Sequence, residues 1–139
     1  MQRVDASIKI IAGPLFFASY GAGGTLQTGK FDVGFFGWFN GADPDDSTQF
    51  MCDQFPPAGQ NVYHFCDRQL DALERTAFTS FDLSVRREAY FKIQEILADQ
   101  APTIFVTFTR RISVFNTDFH NYKPSHAVST ISNPWEWEM

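Results

Sequence analysis

The sequence predicts an α/β fold, and two observations carry this prediction. Short segments rich in β-branched and aromatic residues occur at 7–12, 31–38 and 103–108, which is the composition of strands. Between the second and third of them lie two segments with apolar residues at helical spacing, each preceded by an Asp that can cap a helix. No internal repeat or low-complexity tract is present, and a chain of 139 residues allows one ordinary domain with a modest core.

The N-terminal third carries the first two predicted strands. Residues 7–12 read as a short strand that Gly13-Pro14 ends, while 15–20 is ambiguous between helix and strand. The segment Phe31–Trp38 is apolar on both faces, which is typical of an internal strand covered on each side. It leads directly into an aromatic, acidic loop at 40–47, a position where binding residues are commonly held.

Two helices and a third strand follow. Asp67 is the expected cap of the first helix, whose apolar face comprises Leu70, Leu73, Ala77 and Phe78. Asp82 is the expected cap of the second helix, whose apolar stripe comprises Val85, Ala89, Ile93, Ile96 and Leu97, with Arg86, Arg87, Glu88, Lys92 and Glu95 largely on the solvent side. Pro102 stops this helix, and 112–115 could extend the strand at 103–108. The pattern then fails from Asn116 to Met139, and this tail is expected to pack on something else.

Composition excludes several classes of function. The chain has 139 residues, 44% of them hydrophobic and 19% charged, as in an ordinary globular protein. Its net charge of -5 offers no basic surface for nucleic acid or an anionic membrane. No apolar run reaches the roughly 18 residues that a membrane span needs, and the N-terminus does not read as a signal peptide. The aromatic fraction of 17%, with 16 Phe, indicates a stacking site, a packed core or a surface for another domain.

The residues give no support to catalysis or metal binding. Asp43, Asp45 and Asp46 lack the spacing and distal Glu of a calcium loop, and a solvated turn is the simpler interpretation. The histidines at 64, 120 and 126 share no metal spacing. The chain has no Cys-x-x-Cys, nucleophile elbow or phosphate loop. We therefore expect a binding protein without cofactor or metal, and not an enzyme.

Two cysteines, Cys52 and Cys66, flank a loop containing Pro56-Pro57. Composition alone leaves a disulfide and two free thiols equally open. A disulfide would stabilise so small a loop by about 3 kcal/mol and would place the protein outside the reducing cytosol.

The chain resembles the C-terminal part of the family-5 extracellular solute-binding proteins, the oligopeptide- and dipeptide-binding receptors of bacterial ABC importers. The order and spacing of the matching residues over about a hundred positions carry the resemblance, and no single motif does. They are Gly23–Val33, Gly37-Trp38, Asp43-Pro44-Asp45, Gly59-Gln60-Asn61, Asp67–Leu73, the series Arg86, Arg87, Tyr90, Ile93, Gln94, Ile96, Leu97, and Ala101–Ile104.

The resemblance implies the rest of the architecture. Members of this family have two α/β lobes that enclose a peptide, so residues 1–109 would form part of the second lobe, with a mixed sheet and flanking helices of the type II periplasmic-binding-protein class. Residues 110–139 would form a crossover and a tail that packs on a missing first lobe. The implied partners are a peptide or other small solute and the permease subunits of the importer. The family also implies a Cys52–Cys66 disulfide and an extracytoplasmic location, in the periplasm or as a cell-surface lipoprotein.

The resemblance also implies ligand-binding residues, with one departure. Trp38 carries over directly, and Phe39 beside it would form an aromatic wall. In peptide receptors an Asp three residues after the Trp holds the ligand's ammonium, but here that position is Gly41. Either a shorter loop brings Asp43 to the same point, or Asn40 lies there and the ammonium site is lost. Its loss would favour a ligand without a free amino terminus.

Two other functions are compatible with the residues. A self-contained aromatic carbohydrate-binding module would bind glycans without any further domain. A hydrolase using Asp43 and Asp45 would cleave a glycoside, although adjacent loop acids provide no means of separating their pKa values.

Overall fold

The computed structural model describes residues 5–39, 41–108, 112–125 and 133–139. Four α-helices lie in this part of the chain: α1 (Gly13–Phe16), α2 (Ser47–Phe50), α3 (Arg68–Thr79) and α4 (Leu83–Gln100). Two 3-10 turns, at Tyr20–Ala22 and Pro134–Glu136, accompany them. The ambiguous segment after Gly13-Pro14 is therefore a helical turn, with Pro14 in the first turn where its missing N–H costs nothing.

The two long helices begin where the sequence predicts. The Asp67 side chain accepts hydrogen bonds from the backbone N–H of Gln69 and Leu70, and the Asp82 side chain accepts from Ser84 and Val85. The pKa of each capping carboxyl is lowered by these hydrogen bonds, led by the Leu70 N–H at Asp67 and by Ser84 at Asp82. Helix α4 ends at Gln100, with Ala101 in the left-handed conformation, so both helix predictions are confirmed.

The core lies between α2, α3 and α4. Phe50, Leu70, Ile93 and Leu97 form a buried cluster, and partly buried side chains pack around it: Tyr63, Phe65, Leu73, Tyr90 and Ile96. Phe50 stacks on Tyr63 with ring centroids 5.3 Å apart. The predicted inner face of α3 was wrong at Phe78, whose ring is exposed, because the helix turns Leu70, Glu74 and Ala77 inward instead.

A disulfide between Cys52 and Cys66 joins the end of α2 to the start of α3, with Cα atoms 4.5 Å apart. The predicted disulfide is thus present. Asn61, fully buried inside the enclosed loop, donates to the carbonyls of Met51 and Phe65 and accepts from the Phe65 N–H. The Asp71 carboxylate of α3 accepts from the Cys52 N–H at 2.9 Å. These contacts fix the 52–66 loop on the helices.

Residues 12–30 form a second closed loop, held by backbone hydrogen bonds. The N–H groups of Thr25 and Leu26 donate to the carbonyls of Leu15 and Phe16, which places residues 25–26 beside α1. Gly24 sits where the chain meets itself, because a Cβ there would lie 1.8 Å from the Ala18 carbonyl oxygen. These hydrogen bonds fix the closed loop at 12–30 and with it the side chains at the end of α1.

The predicted mixed sheet is not confirmed. The described residues contain no β-strand, and one isolated antiparallel bridge joins His120 to Glu138. The segments predicted as strands at 7–12, 31–38 and 103–108 are irregular, and Ile8, Val33 and Phe105 are largely exposed. The second segment is therefore not covered on both sides in this chain. A strand is stabilised by its neighbours, and these segments have none to pair with among the described residues.

Part of the tail makes local contacts. Trp137 packs against Phe119 and Tyr122 at ring-centroid distances of 5.2 and 5.8 Å, and its indole N–H donates to Asn133. Trp135, two residues earlier, is largely exposed. Thr109, Arg110 and Arg111 lie outside the described residues, and so does the predicted boundary between 1–109 and 110–139.

Candidate functional site

Trp38 stands at the end of a cluster of aromatic rings. Its ring meets Phe36 edge to face at 6.4 Å, and Phe36 contacts both Phe16 and Phe17 of the closed loop at 12–30 at about 6 Å. The Trp38 side chain remains 47% exposed. Such a ring, braced on one side and open on the other, provides a rigid apolar wall.

A hollow of about 150 Å³ lies against this wall. The lining residues come from the closed loop at 12–30, the segment 31–38, α2 and the 52–66 loop. They are Phe17, Leu26, Gln27, Phe36, Trp38, Gln49, Gln60, Val62 and Tyr63. This volume accommodates a group about the size of one aromatic ring. The hollow can therefore hold one side chain or end group of a ligand, and not a whole ligand.

A wider and more open hollow of about 540 Å³ adjoins the first. The two share Phe17, Gln27 and Gln60. Its other lining residues belong to the two closed loops and α2: Ala18, Ser19, Tyr20, Gly21, Thr48, Gln54, Pro57, Ala58 and Gly59. The disulfide loop thus forms one wall, and a volume of this size is typical of sites for small molecules.

None of the described residues that line either hollow carries a charge. The polar side chains in the linings are four amides and four hydroxyls, those of Gln27, Gln49, Gln54 and Gln60 and of Ser19, Tyr20, Thr48 and Tyr63. Gln49 is buried, whereas Gln60 is exposed at the rim. A primary amide donates and accepts hydrogen bonds without a net charge, so the site is suited to neutral hydrogen-bonding groups.

The other predicted aromatic residue lies apart from these hollows. Phe39 is largely exposed and lines neither of them. Asn40 lies outside the described residues, so its predicted role stays a prediction. His126 also lies outside them.

Asp43 forms an ion pair with Arg86 of α4. The guanidinium Nη2 donates to both carboxylate oxygens at 2.8 and 2.7 Å, and the Asp45 N–H donates to Oδ1 at 3.1 Å. The Arg86 side chain is only 19% exposed and that of Asp43 is 61% exposed. The prediction that Arg86 lies on the solvent side of α4 was wrong at this residue, because the acidic loop covers it.

Arg86 also connects the loop to both long helices. Its Nη1 donates to the Ala77 carbonyl at the end of α3, and its guanidinium lies 5.6 Å from the centre of the Tyr90 ring. Burial raises the pKa of Tyr90 to about 12, and the charges of Asp43 and Glu74 add to this effect. The loop that follows Trp38 is thus fastened to the helical core through one side chain.

A second acidic group lies beneath the loop. Glu74 of α3 is only 1% exposed, and neither of its carboxyl oxygens has a hydrogen-bond partner of good geometry among the described residues. Burial, together with the neighbouring carboxyls of Asp46, Asp45 and Asp71, raises the pKa of Glu74 to about 9. Burial also raises the pKa of Asp46. Glu74 is therefore neutral near pH 7.

Within the described residues, no cluster of three or more His, Cys, Asp or Glu side chains could hold a metal ion. Among the same residues, no helix combines the length and the apolar composition required to cross a membrane.

The glutamines and Arg86 are the site residues that the sequence did not reveal. Gln27, Gln49 and Gln60 lie in separate segments with no common spacing, so only the folded loops bring them together. The sequence contained only a weak signal for the role of Arg86. This residue lies in the first turn of α4, and an Arg that is partly covered is expected to have a carboxylate nearby.

Known proteins similar to this chain include dipeptide- and di/tripeptide-binding proteins and a periplasmic-binding protein of an ABC transporter. Di/tripeptide-binding protein 3 of Pseudomonas aeruginosa (strain UCBPP-PA14) is 32% identical over 102 residues, which cover 71% of this chain and 19% of that protein. A dipeptide-binding protein of P. aeruginosa PAO1 is 31% identical over 102 residues, with the same coverage. The probable ABC transporter periplasmic-binding protein SapA of Escherichia coli K12 is 34% identical over 58 residues, 42% of this chain and 11% of SapA.

The chain is a relative of the dipeptide- and oligopeptide-binding periplasmic proteins. The resemblance to the family-5 solute-binding proteins is thereby confirmed. The chain aligns with only about a fifth of the length of its first two relatives. No family model matches it. No solved structure matches it either.

Proposed function

We propose that this chain is a segment of the solute-binding receptor of a bacterial ABC importer, which captures a peptide or related small solute for delivery to the membrane permease. The observation that carries the proposal is the 32% identity over 102 residues with a di/tripeptide-binding protein. The adjoining hollows at Trp38 support it, because they provide a wall, a recess and neutral hydrogen-bonding groups in one place. The role is binding and not catalysis.

The proposal includes an arrangement in two lobes. Residues 1–109 belong to the second lobe, and 110–139 return to a first lobe and pack on it. The ligand lies between the lobes, which close by a hinge motion and exclude water. The exposed apolar side chains at 5–12, 31–36 and 102–108 support this arrangement, since an additional sheet or lobe would cover them.

The location of the receptor is outside the cytoplasm, either in the periplasm or on the cell surface as a lipoprotein. The Cys52–Cys66 disulfide supports this location, because oxidising compartments are where such bonds persist. In the complete receptor, Trp38 and Phe39 form the aromatic wall, and Asn40 or Asp43 is the predicted polar contact.

Calorimetric titration of the complete receptor with a library of di- and tripeptides tests the proposal. We expect saturable heat from a subset of peptides and its loss in Trp38→Ala, which removes the wall of the smaller hollow. Phe81→Ala is the control, because that ring is fully exposed and lies at the start of α4, outside both hollows. Heat from no peptide would remove the peptide assignment, and a titration with oligosaccharides would then test the carbohydrate-binding module.

A further inference from the structure

A buried pair of carboxyl groups lies beneath the loop that follows Trp38. Glu74 of α3 is only 1% exposed and contacts the carboxyl group of Asp46, the residue before α2. Both oxygens of Glu74 and the Oδ1 atom of Asp46 are buried without a hydrogen-bond partner of good geometry among the described residues. Two carboxylates in this position would repel each other, whereas a carboxylic acid can donate its O–H to a carboxylate. One proton therefore makes the contact attractive.

Charged and titratable groups surround Glu74 on three elements. They are Asp45 and Asp46 of the loop, Asp71 on α3 itself and Tyr90 on α4. Arg68 is paired with Asp71 at 3.4 Å, and Arg86 is paired with Asp43 at 2.7 Å, so both of these cations are already engaged. The surroundings of Glu74 thus favour its neutral form.

The proton of the pair resides on Glu74. Burial raises the pKa of Asp46 and the contact with Glu74 lowers it, whereas burial and the same contact both raise the pKa of Glu74, to about 9. The contact is therefore attractive at neutral pH and is lost as the pH rises through this value. Burial raises the pKa of Tyr90 to about 12, so its hydroxyl keeps its proton over the same range.

The loop 41–46 connects the two sides of the smaller hollow. Trp38 lies before the loop, and α2, whose Gln49 lines the same hollow, follows it directly. Inside the loop the Asp45 N–H donates to Asp43, and the Ser47 N–H donates to Asp45, both at 3.1 Å. A movement at one end of so compact a loop is therefore transmitted to the other end.

The loop contacts both long helices, and the two contacts respond differently to pH. Asp43 accepts hydrogen bonds from Arg86 of α4 at 2.8 and 2.7 Å. A guanidinium keeps its charge throughout the alkaline range, so this contact persists there. The contact of Asp46 with Glu74 of α3 becomes repulsive when Glu74 loses its proton. It is therefore the contact that a rise in pH opens.

We propose that the Glu74–Asp46 carboxyl pair holds the loop 41–46 against α3 while Glu74 carries a proton, and that release of this proton to solvent at alkaline pH moves the loop together with Trp38. Glu74 is thus a positioning residue for one wall of the hollow. The consequence for ligand affinity rests on the proposed function, whereas the movement of the loop does not.

Fluorine NMR of the complete receptor labelled with fluorotryptophan tests the movement without any ligand. The resonance of Trp38 is identified by its absence from Trp38→Phe. We expect it to shift as the pH rises from 7 to 9.5, with a midpoint near pH 9. The resonances of Trp135 and Trp137 in the tail should not follow this titration. A Trp38 resonance that stays constant over this range would overturn the proposal.

Two variants assign the titration to the carboxyl pair. Glu74→Gln and Asp46→Asn each leave an amide beside a carboxyl group, and an amide pairs with either protonation state of that group. The Trp38 resonance should not titrate in either variant. Glu88→Gln is the matched control, since Glu88 is exposed and pairs with Lys92 on α4, and it should retain the titration. An equal titration in Glu74→Gln would overturn the proposal, and the result from the unmodified receptor still decides if a variant folds poorly.

Calorimetric titration with one di- or tripeptide that the receptor binds tests the consequence for affinity. At pH 9.5 about a quarter of the receptor keeps the proton on Glu74, so the affinity should be about fourfold weaker than at pH 7. The amino group of the peptide titrates in the same range, and the fall in affinity is therefore compared with that of Glu74→Gln for the same peptide. An equal fall in both receptors would overturn the link between the carboxyl pair and the ligand site. Binding of no peptide at any pH would remove the proposed function, and fluorine NMR would still decide whether the loop moves.

Discussion

The helical part of the molecule, residues 47–100, and the segments 5–12, 31–38, 102–108 and 112–115 are all rich in apolar residues, but those residues lie in different environments. In the helical part, Leu70 and Ile93 are almost completely buried among close neighbours. In the other segments, Ile10, Phe108 and Val114 are largely exposed. The helices pack against segments that are near them in the sequence, whereas a strand pairs with another strand that can be far away in the sequence. Apolar character alone therefore does not determine burial in this chain.

The largest effect that tests this comparison is expected from one substitution made in both parts. Ile93→Ala removes a side chain that is 1% exposed from the core cluster and should lower the free energy of unfolding by about 4 kcal/mol. Ile112→Ala, where the side chain is 85% exposed, should change it by less than about 0.5 kcal/mol. Urea unfolding followed by circular dichroism measures both.

Equal losses at the two positions would show that Ile112 is buried in solution and would break the comparison. Repeating the Ile112→Ala measurement in the complete receptor sharpens it. In the complete receptor the proposed first lobe covers this segment. The loss in the free energy of unfolding should therefore increase to about 1 kcal/mol or more, as expected when a side chain is buried.

The same difference explains which parts of the fold the sequence predicts. Asp67 and Asp82 are each followed by an amphipathic segment, and capping depends on residues only two or three positions away, so both helices were predicted correctly. The segment 31–38 has strand composition, but a strand requires hydrogen bonds from a neighbouring chain segment. None of the described residues supplies them, and local pattern could not reveal that.

The candidate site likewise contains one residue that the sequence predicted and others that it did not. Trp38 was predicted as a ligand-binding residue from its position after an apolar segment; it lines the smaller hollow, and its role in binding stays a prediction. The partner of Asp43 was not predicted, because Arg86 lies 43 residues further along the chain. The four glutamines lie in α2 and in the two closed loops, which are separate segments of the chain. Only the tertiary structure brings their side chains together.

The disulfide should give the second-largest effect on stability. Cys52→Ser combined with Cys66→Ser opens the loop that carries Asn61 and one wall of the wider hollow. The chain-entropy cost of closing such a loop predicts a loss of about 3 kcal/mol in the free energy of unfolding. Denaturant unfolding of this variant and of the oxidised parent measures the loss.

Reduction of the parent with dithiothreitol provides the control for that variant. The reduced parent should unfold at the same urea concentration as the double-serine chain. A double-serine chain as stable as the oxidised parent would show that the helical part does not depend on the 52–66 loop.

The buried Glu74 should make the stability of the chain depend on pH. Its pKa is raised from 4.5 to about 9, so between these values the unfolded chain releases a proton that the folded chain keeps. Stability from this group is complete below pH 4.5 and falls by about 1.4 kcal/mol per pH unit until about pH 9. Glu74→Gln removes this ionisation, so it should raise the free energy of unfolding at pH 8 and raise it much less at pH 5.

Urea unfolding between pH 5 and pH 9 measures the slope. Glu88→Gln is the control, since Glu88 is exposed and pairs with Lys92 on the surface of α4. The slope should become flatter in Glu74→Gln and remain in Glu88→Gln. An identical slope in both variants would mean that Glu74 is ionised in the folded chain.

The smallest effect is expected at the ion pair that joins the loop after Trp38 to the helical part of the molecule. Asp43→Asn removes the carboxylate whose two oxygens accept hydrogen bonds from Arg86 and leaves a mostly covered guanidinium with weaker partners. The free energy of unfolding should fall by about 1 kcal/mol. The control is Asp53→Asn, which breaks the ion pair with Arg75 where both side chains are largely exposed, and it should change the unfolding midpoint less. Because Arg86 also contacts the Ala77 carbonyl and Tyr90, a loss at Asp43 equal to that at Asp53 would show that these contacts hold Arg86 without the loop. A larger loss at Asp43 would show that the helical part fixes the loop after Trp38, which is the condition for a preformed hollow.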